Sequence, residues 1–300
     1  MKVFLTGATG YIGSAIAKAL LANGYSVLGL ARSDEAAAKL RNLGVEPHQG
    51  DLKSKDSIIQ GARQADAAIH TASTNGPDVV ETDRNAVDAI LEALDGAGKP
   101  FAYTSGTLVY GDTGNEVVDE NSPLNPPPFL SWRPSIEQTV LAAAARNIRS
   151  VVVRPSLVYG RGGGLPAMLV YAARQQGVAC YPGTGENRWS TVHVDDLADL
   201  YVRAIKNAID GTVFNAAVQP TVTMSAIMKS VSIAAGAEGK TASLSLEEAR
   251  QAMGPFADGF VINQQVSGAK GTQMLGWNPQ AISILEDLEQ GSYRNQNQHS

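Results

Sequence analysis

The sequence predicts an α/β protein with a doubly wound parallel sheet and a smaller C-terminal lobe. Short apolar runs alternate with segments of helical spacing through the first half of the 300-residue chain, three glycines follow the first run, and the pattern changes after residue 160. Strands that alternate with helices form parallel sheets with right-handed crossovers. We therefore expect a sheet domain over residues 1–160 and a lobe over residues 161–300, with some of the latter returning to the sheet.

The individual elements follow from the apolar runs and the helical spacing. Strands are predicted over residues 3–6, 26–30, 45–48, 67–71, 101–105, 150–154 and 212–215. Helices are predicted over residues 14–22, 34–42, 55–62, 83–96, 166–176, 194–207, 223–236 and 246–253, with one more that starts near residue 131 and ends near residue 147. The glycine- and proline-rich residues 111–130 are predicted to form a loop that is longer than a simple connection between two elements requires, so we expect this loop to line a site.

Composition excludes several classes of protein. The net charge of -5 and the scattered Lys and Arg residues leave no basic surface for nucleic acid or an anionic membrane. The single cysteine excludes a disulfide within the chain and a cysteine-based metal cage, so no metal is predicted. No signal-peptide pattern and no apolar run of roughly 18 residues occurs, which predicts a soluble cytoplasmic protein with a small-molecule substrate.

Gly7, Gly10 and Gly13 lie between the first predicted strand and an Ala/Leu-rich helix. In this context the first glycine permits a tight turn, the second lets backbone N–H groups approach a pyrophosphate, and the third lets helix and strand pack closely. The helix N-terminus adds unpaired donors and a positive dipole end. Residues 1–160 are therefore predicted to be a Rossmann-type dinucleotide-binding domain; the alternative is a tight turn without a ligand.

Arg32 lies where the second strand ends, at the position from which an acidic residue would hold a ribose 2′-hydroxyl. A cation followed by the hydroxyl of Ser33 fits a 2′-phosphate, which favours NADP(H) over NAD(H). The alternative is that Asp34 folds back onto the ribose and Arg32 is a solvated charge. Asp51 and Leu52, after the third strand, are expected beside the adenine, although a simple turn is the other interpretation of Asp51.

Seven motifs in order resemble the extended and atypical branch of the short-chain dehydrogenase/reductase superfamily, the group often labelled NAD-dependent epimerase/dehydratase. They are residues 6–13 (TGATGYIG), 50–52 (GDL), 69–72 (IHTA), 103–111 (YTSGTLVYG), 154–160 (RPSLVYG), 192–198 (VHVDDLA) and 275–279 (LGWNP). The resemblance covers nearly the whole chain. It implies a nicotinamide cofactor, a carbonyl or alcohol substrate, and a homodimer. The cofactor-binding residues that it implies are Gly7, Thr9, Gly10, Tyr11, Ile12, Gly13, Arg32, Ser33, Asp51, Leu52, Thr71, Ala72, Ser73, Arg133, Pro155 and Leu157.

The chain departs from the catalytic Ser/Thr, Tyr and Lys of this superfamily. The hydroxyl position, four residues before Tyr110, is Gly106. Counting back from the helical Glu137 places Arg133 at the lysine and Phe129 at the tyrosine. Phenylalanine cannot exchange a proton, and arginine stays charged although it can still hold a ribose hydroxyl. The resemblance therefore predicts the cofactor but not the usual proton relay.

The candidate catalytic residues are accordingly Thr107, Ser105, Arg133 and Tyr110. The two hydroxyls beside Gly106 would polarise a carbonyl, and a proton would come from Tyr110, Tyr159, His193 or water. Structural roles are the alternative for both tyrosines, and a hydrogen bond between lobes is the alternative for His193. Asp83 is interpreted as a helix N-cap in preference to a proton-relay residue. The predicted substrate-binding residues are Thr107, Phe129, Trp132, Tyr159, Trp189 and His193. Ordinary core is the alternative for Phe129, Trp132 and Trp189.

Three functions are compatible with these residues. The first is an NADPH-dependent oxidoreductase that reduces a small or medium apolar carbonyl compound by hydride transfer. The second is an epimerase, dehydratase or isomerase that uses the cofactor transiently or as a scaffold. The third is a non-catalytic NADP(H)-sensing regulatory protein.

Overall fold

The computed structural model describes residues 1–74, 76–207 and 209–294. Within these ranges the strands are β1 (Lys2–Thr6), β2 (Ser26–Ala31), β3 (Glu46–Gln49), β4 (Ala67–His70), β5 (Pro100–Thr104), β6 (Val117–Val118), β7 (Arg149–Pro155), β8 (Leu157–Tyr159), β9 (Ala179–Pro182), β10 (Arg188–His193), β11 (Thr212–Ala216), β12 (Val218–Thr223), β13 (Thr241–Leu244) and β14 (Gln265–Val266).

The helices in the same ranges are α1 (Tyr11–Ala22), α2 (Asp34–Asn42), α3 (Lys55–Arg63), α4 (Val79–Leu94), α5 (Arg133–Ala142), α6 (Gly164–Gln176), α7 (Val194–Asn207), α8 (Met224–Ala235), α9 (Leu246–Met253), α10 (Ala257–Phe260), α11 (Ala269–Leu275) and α12 (Ile284–Gln290). Short 3-10 helices cover Thr107–Tyr110, Pro128–Leu130, Ala143–Arg146 and Gly254–Phe256. No helix in the described part of the chain is both long and apolar enough to cross a membrane.

The central sheet confirms the predicted doubly wound α/β class. Its seven strands are all parallel and lie in the order β11-β7-β5-β4-β1-β2-β3. The chain builds outward from β1 through β2 to β3, and then crosses to the other side of β1 for β4, β5, β7 and β11. The direction of winding therefore reverses between β1 and β4, which is where doubly wound sheets bind their ligands.

Both faces of the central sheet are buried, as parallel sheets require. Val3 and Leu5 of β1 pack with α1 and α7 on one face, whereas Phe4, between them, packs with α3 and α4 on the other. This alternation follows from the two-residue period of a strand. The sheet consequently forms a rigid base for the loops at its carboxyl edge.

The chain after residue 160 contributes to two layers. Strand β11 completes the central sheet, and α7 packs against α1 on its surface. The rest forms a smaller lobe around a separate hydrophobic core, built chiefly from α6, α8 and α12. The remaining strands form the three-stranded sheet β12-β10-β8 and the pairs β13-β9 and β14-β6.

Three segments differ from the sequence-based expectation. Helix α4 begins at Val79 and not at residue 83, with Asp78 as its N-cap. Asp83 therefore lies inside the helix, and its interpretation as an N-cap is wrong. Helix α5 begins at Arg133, with Pro134 in its first turn, where the missing N–H costs no helical hydrogen bond. Residues 111–130 are not wholly loop, because they contain β6 and the 3-10 turn Pro128–Leu130.

Candidate active site

The glycine-rich turn joins β1 to α1. Gly7 adopts φ 76°, a left-handed conformation that favours glycine, and its carbonyl accepts a hydrogen bond of 2.8 Å from the Gly10 amide. A Cβ atom at Gly13 would lie 2.1 Å from the Gly7 oxygen, so a larger residue does not fit. Gly10 caps α1 without a side chain, which leaves the first-turn N–H groups open to an anion. Thr9 and Gly10 are exposed, and Tyr11 and Ile12 are half-buried.

The segment after β4 forms the other side of this turn. The Thr71 hydroxyl donates a hydrogen bond of 2.8 Å to the Thr6 carbonyl, and the Ala72 amide contacts the Thr6 hydroxyl at 3.4 Å. A Cβ atom at Gly7 would lie 2.8 Å from the Ala72 nitrogen. Ser73 follows on the exposed surface. The turn and this segment thus make a close-fitting cradle whose open backbone donors fit a dinucleotide pyrophosphate.

Arg32 follows the last residue of β2, is exposed, and makes no ion pair with any described residue. Ser33 is the N-cap of α2 and accepts a hydrogen bond of 3.2 Å from the Ala36 amide. The Asp51 carboxylate accepts from the Lys53 amide at 2.8 Å, and the Leu52 carbonyl accepts from Asn85. The guanidinium of Arg32 is consequently available to a phosphate at the N-terminal end of α2.

A cavity of about 290 Å³ opens at the carboxyl ends of β5 and β7. It brings together most of the predicted catalytic and substrate residues with side chains from the lobe, and aliphatic or aromatic groups make up most of its wall. The lining residues are Ser105, Gly106, Thr107, Leu108, Phe129, Leu130, Arg133, Pro155, Ser156, Leu157, Leu165, Trp189, Ser190, Phe256 and Gln264.

Ser105 supplies a hydroxyl that the protein does not use. Its Oγ atom is shielded from solvent and has no hydrogen-bond partner in the part of the chain described by the structure. At Gly106, which occupies the hydroxyl position of the superfamily, the nearest atom to an added Cβ would be the Pro155 oxygen at 3.8 Å. Because buried polar groups are nearly always hydrogen-bonded, a ligand oxygen in the cavity is a fitting partner for Ser105.

Arg133 is half-buried in the cavity wall and forms no ion pair with a described residue. Its Nη1 atom donates to the Thr104 carbonyl at 3.1 Å and to the Tyr103 hydroxyl at 3.4 Å. The guanidinium lies 4.4 Å from the centre of the Trp132 ring. Trp132 therefore covers Arg133 and is not part of the cavity wall, where it was expected.

A buried chain of hydrogen bonds continues from Arg133 to the glycine-rich turn. Tyr103 donates to Asp83 Oδ2 at 2.6 Å, and Asp83 Oδ1 accepts from His70 Nε2 at 3.2 Å. The other ring nitrogen of His70 lies 2.6 Å from the Thr6 hydroxyl. The chain thus links the residue before Gly7 to the cavity wall.

Burial and hydrogen bonding shift the pKa of Asp83, in the middle of this series of hydrogen bonds, in opposite directions. Burial raises the pKa of Asp83, but the hydrogen bonds from His70 and Tyr103 and the charges of His70 and Arg133 outweigh it, so the pKa is lowered. Burial raises the pKa of Tyr103 well above its usual value, and the nearby Asp83 adds to this, although Arg133 opposes it. At neutral pH the aspartate is therefore ionised and the phenol is protonated.

Besides Trp132, three predicted catalytic or substrate-binding residues lie outside the lining of the cavity. Tyr110 donates to Asn215 at 2.9 Å and accepts from Arg154 at 2.6 Å, within a buried group that includes Glu137. Tyr159 donates to the Ile282 carbonyl at 2.6 Å. His193 accepts from the Asp195 amide at 3.2 Å and packs on Tyr159. The two tyrosine hydroxyls and Nδ1 of His193 are thus engaged within the protein, and contact of these three residues with a substrate stays a prediction.

Several lining residues were missed by the sequence analysis. Gln264 and Phe256 come from the segment before β14, and no short motif marks them. The buried Tyr103 and His70 lie in strands, where their positions fit the hydrophobic core. The residues added by the structure are Leu108, Leu130, Ser156, Leu165, Ser190, Phe256, Gln264, Tyr103 and His70.

A glycine cradle at the switch point of a parallel sheet, beside a cavity at the same edge, defines a Rossmann-type nucleotide-binding protein. The model of the NAD dependent epimerase/dehydratase family matches residues 3–217. The chain therefore belongs to this family, within the extended short-chain dehydrogenase/reductase superfamily, whose members depend on a nicotinamide dinucleotide.

Individual proteins agree with this assignment. An uncharacterized protein of Schizosaccharomyces pombe is 34% identical over 304 residues, which cover 98% of this chain and 100% of the relative. A 4-hydroxy-2-methyl-3-oxo-4-farnesyl-3,4-dihydroquinoline-1-oxide ketoreductase of Stigmatella aurantiaca is 30% identical over 227 residues, 71% of this chain and 67% of the relative. The dTDP-glucose 4,6-dehydratase DesIV of Streptomyces venezuelae, solved with NAD, has a TM-score of 0.82 at 21% identity, with 99% and 98% of the two chains covered. The last likeness is one of fold.

Proposed function

We propose that this protein is an NADPH-dependent reductase of a small or medium, largely apolar carbonyl compound. The observation that carries the proposal is the buried Ser105 hydroxyl, which has no partner among the described residues and lines a cavity with an apolar wall. A carbonyl oxygen would accept the hydrogen bond that Ser105 has left to donate. The name of the ketoreductase relative supports the same chemistry.

The preference for NADPH rests on Arg32. Its guanidinium is exposed after β2 and has no carboxylate partner in the described ranges, so a 2′-phosphate would meet an uncompensated cation. Gly7, Gly10 and Gly13 would hold the pyrophosphate, and Arg133 would hold the nicotinamide ribose. When bound, the nicotinamide would supply the hydride.

Three polar residues of the cavity then have defined tasks. Ser105 orients and polarises the carbonyl, with Thr107 beside it. Arg133 stays cationic and does not relay a proton. Among the described residues that line the cavity, no tyrosine, histidine or carboxylate is present. We therefore propose that water in the cavity protonates the product oxygen, and that Phe129, Trp189 and Phe256 hold the apolar part of the substrate.

The test follows NADPH absorbance with a panel of aldehydes, ketones and imines, with NADH in parallel. We expect oxidation of NADPH with apolar aryl carbonyl compounds and a loss of about 100-fold in kcat/KM in Ser105→Ala, as for other oxyanion donors. Ser150→Ala is the matched control, because the Ser150 hydroxyl is also buried without a partner among the described residues but lies outside the cavity lining. Tight NADPH binding without turnover of any compound would reject the reductase.

Membership of the family supports a second candidate, an epimerase, dehydratase or isomerase that regenerates its cofactor. Such an enzyme would convert its substrate with a catalytic amount of cofactor and without net oxidation of NADPH. Product analysis by mass spectrometry and NMR, with NADP+ below the enzyme concentration, separates this candidate from a reductase. Binding of NADPH without conversion in either assay would leave a sensing protein.

A further inference from the structure

Gln264 is a polar residue of the cavity that the proposed reaction does not use. It lies directly before β14, is 4% exposed, and lines the cavity together with Thr107 and Trp189. Its backbone amide donates to the Arg188 carbonyl at 2.7 Å, which places it beside β10. The backbone and the burial together hold this side chain in one position.

Two hydrogen bonds fix which way the amide group of Gln264 points. Its nitrogen donates to the Thr107 carbonyl and to the Gly111 carbonyl, each at 3.0 Å. Carbonyl oxygens only accept, so the amide oxygen could not take the place of the nitrogen. The oxygen Oε1 therefore lies on the opposite side of the amide carbon. It has no hydrogen-bond partner in residues 1–74, 76–207 and 209–294.

Neighbouring serines of the cavity are satisfied by the protein. Ser156 Oγ donates to the Ala216 carbonyl at 2.8 Å. Ser190 Oγ accepts from the Val266 amide at 2.8 Å and donates to its carbonyl at 3.3 Å. Gln264 Oε1 is different, because no described residue donates to it, although it belongs to a cavity with a largely apolar wall. Such a wall gives a bound water few further partners.

We propose that the substrate carries a hydrogen-bond donor, a hydroxyl or an N–H group, in addition to its carbonyl, and that Gln264 Oε1 receives this donor. Gln264 is then a specificity residue, and the substrate class narrows to hydroxylated or amino-substituted carbonyl compounds. That the substrate has a carbonyl group rests on the proposed function, whereas that it has an additional hydrogen-bond donor concerns binding alone. An acceptor in a largely apolar cavity discriminates against analogues that lack the donor, because such an analogue would cover the acceptor without pairing it.

The test compares matched benzaldehydes that bear a hydroxyl, an amino or a methoxy group at the same ring position. The methoxy group is similar in size but cannot donate. For wild type we expect kcat/KM about 10-fold higher for the better donor compound than for its methoxy partner. In Gln264→Met this ratio falls to near 1, and in Gln265→Met it stays as in wild type. Gln265 is the adjacent glutamine, outside the cavity lining, and accepts from Thr221.

A binding measurement keeps the two proposals separate. The same benzaldehydes, with NADP+ in place of NADPH so that no hydride is transferred, are titrated against intrinsic tryptophan fluorescence, since Trp189 lines the cavity. Donor preference in binding without oxidation of NADPH would reject the reductase and retain the role of Gln264. The role of Gln264 would be overturned if the donor compound and its methoxy partner were turned over, or bound, equally well at every ring position. If Gln264→Met does not fold, the ratio of kcat/KM between the donor compound and its methoxy partner in wild type decides, and a ratio near 1 overturns the role of Gln264.

Discussion

The hydroxyl of Tyr103 donates a hydrogen bond of 2.6 Å to Oδ2 of Asp83, and both side chains are buried. Arg133 donates to the same hydroxyl from the cavity wall, and Asp83 continues the chain through His70 to Thr6. Tyr103 therefore connects a residue that lines the candidate active site to the residue that precedes the phosphate-binding turn.

Removal of the Tyr103 hydroxyl is expected to weaken both ends of this connection. Tyr103→Phe leaves Asp83 and Arg133 each without one hydrogen-bond partner, which costs about 1–3 kcal/mol of unfolding free energy. Urea unfolding measures this loss. Because Arg133 stacks on Trp132, the 19F resonance of 5-fluorotryptophan at Trp132 should also shift. Tyr171→Phe, at a tyrosine that is 65% exposed, is the control and should change neither quantity.

The ionised state of Asp83 predicts a pH-dependent contribution to stability. Its pKa in the folded protein is lowered from the usual 3.8, so the carboxylate stabilises the fold above that value and the contribution is lost as the pH falls through the folded pKa. Asp83→Asn should lower the unfolding free energy by about 2–4 kcal/mol near pH 7. The difference from wild type should shrink as the pH falls below about 4. Urea unfolding across this pH range measures the difference, and Asp88→Asn, at an exposed aspartate of the same helix, is the control. A difference between Asp83→Asn and wild type that does not depend on pH would contradict the ionised state of Asp83.

Arg32→Ala tests the preference for NADPH. Loss of a charge-assisted contact to the 2′-phosphate should raise the Kd of NADPH by about 10–100-fold, while the Kd of NADH changes little. Arg41→Ala, at an exposed arginine in the last turn of α2, should leave both values unchanged. Equal losses of affinity for the two cofactors, measured by calorimetry, would show that Arg32 does not contact the phosphate.

Tyr110→Phe distinguishes a structural from a catalytic tyrosine. The hydroxyl bridges Asn215 and Arg154, and burial raises its pKa. Its removal should therefore lower the unfolding free energy by about 1–3 kcal/mol and leave kcat and the Kd of NADPH unchanged. A large loss of kcat at unchanged stability would instead make Tyr110 a proton donor.

Local sequence signals predicted the geometry of the glycine-rich turn better than the lining of the cavity. The glycine-rich turn is contiguous in sequence, and Gly7 and Gly13 have the close contacts that the motif implies. Gln264 and Thr107, by contrast, meet across more than one hundred residues, and neither has a neighbour in sequence that indicates the contact. A cavity assembled from separate loops has no periodic pattern of its own.

Asp83 lies in a helix that the sequence predicted, but the role predicted for Asp83 in that helix was wrong. The sequence indicated helix α4, but its start was placed at Asp83, where a polar residue before an apolar run suggests an N-cap. The helix begins one turn earlier, so Asp83 shares the buried face of Ala86, Val87 and Ile90. Only the fold provides the partners, His70 and Tyr103, that make a buried carboxylate stable there.

Phe129→Tyr tests whether Phe129 occupies the position of the superfamily tyrosine. Phe129 lies in the 3-10 turn before α5, lines the cavity with Arg133, and packs 5.7 Å from the ring of Phe256. A phenol in the same cavity as the Arg133 guanidinium should have a pKa below the usual tyrosine value of about 10. It is then a stronger acid, and its protonated form would donate the proton to the product oxygen and leave a phenolate that solvent reprotonates.

We expect kcat of Phe129→Tyr to rise, with a new ionisation in its pH profile. The control is Phe256→Tyr, at the ring that contacts Phe129, and it should show neither change. Unchanged kinetics in both variants would mean that Phe129 only fills space in the substrate site. The absence of a tyrosine at this position would then reflect substrate shape, because the proton path would not pass through it.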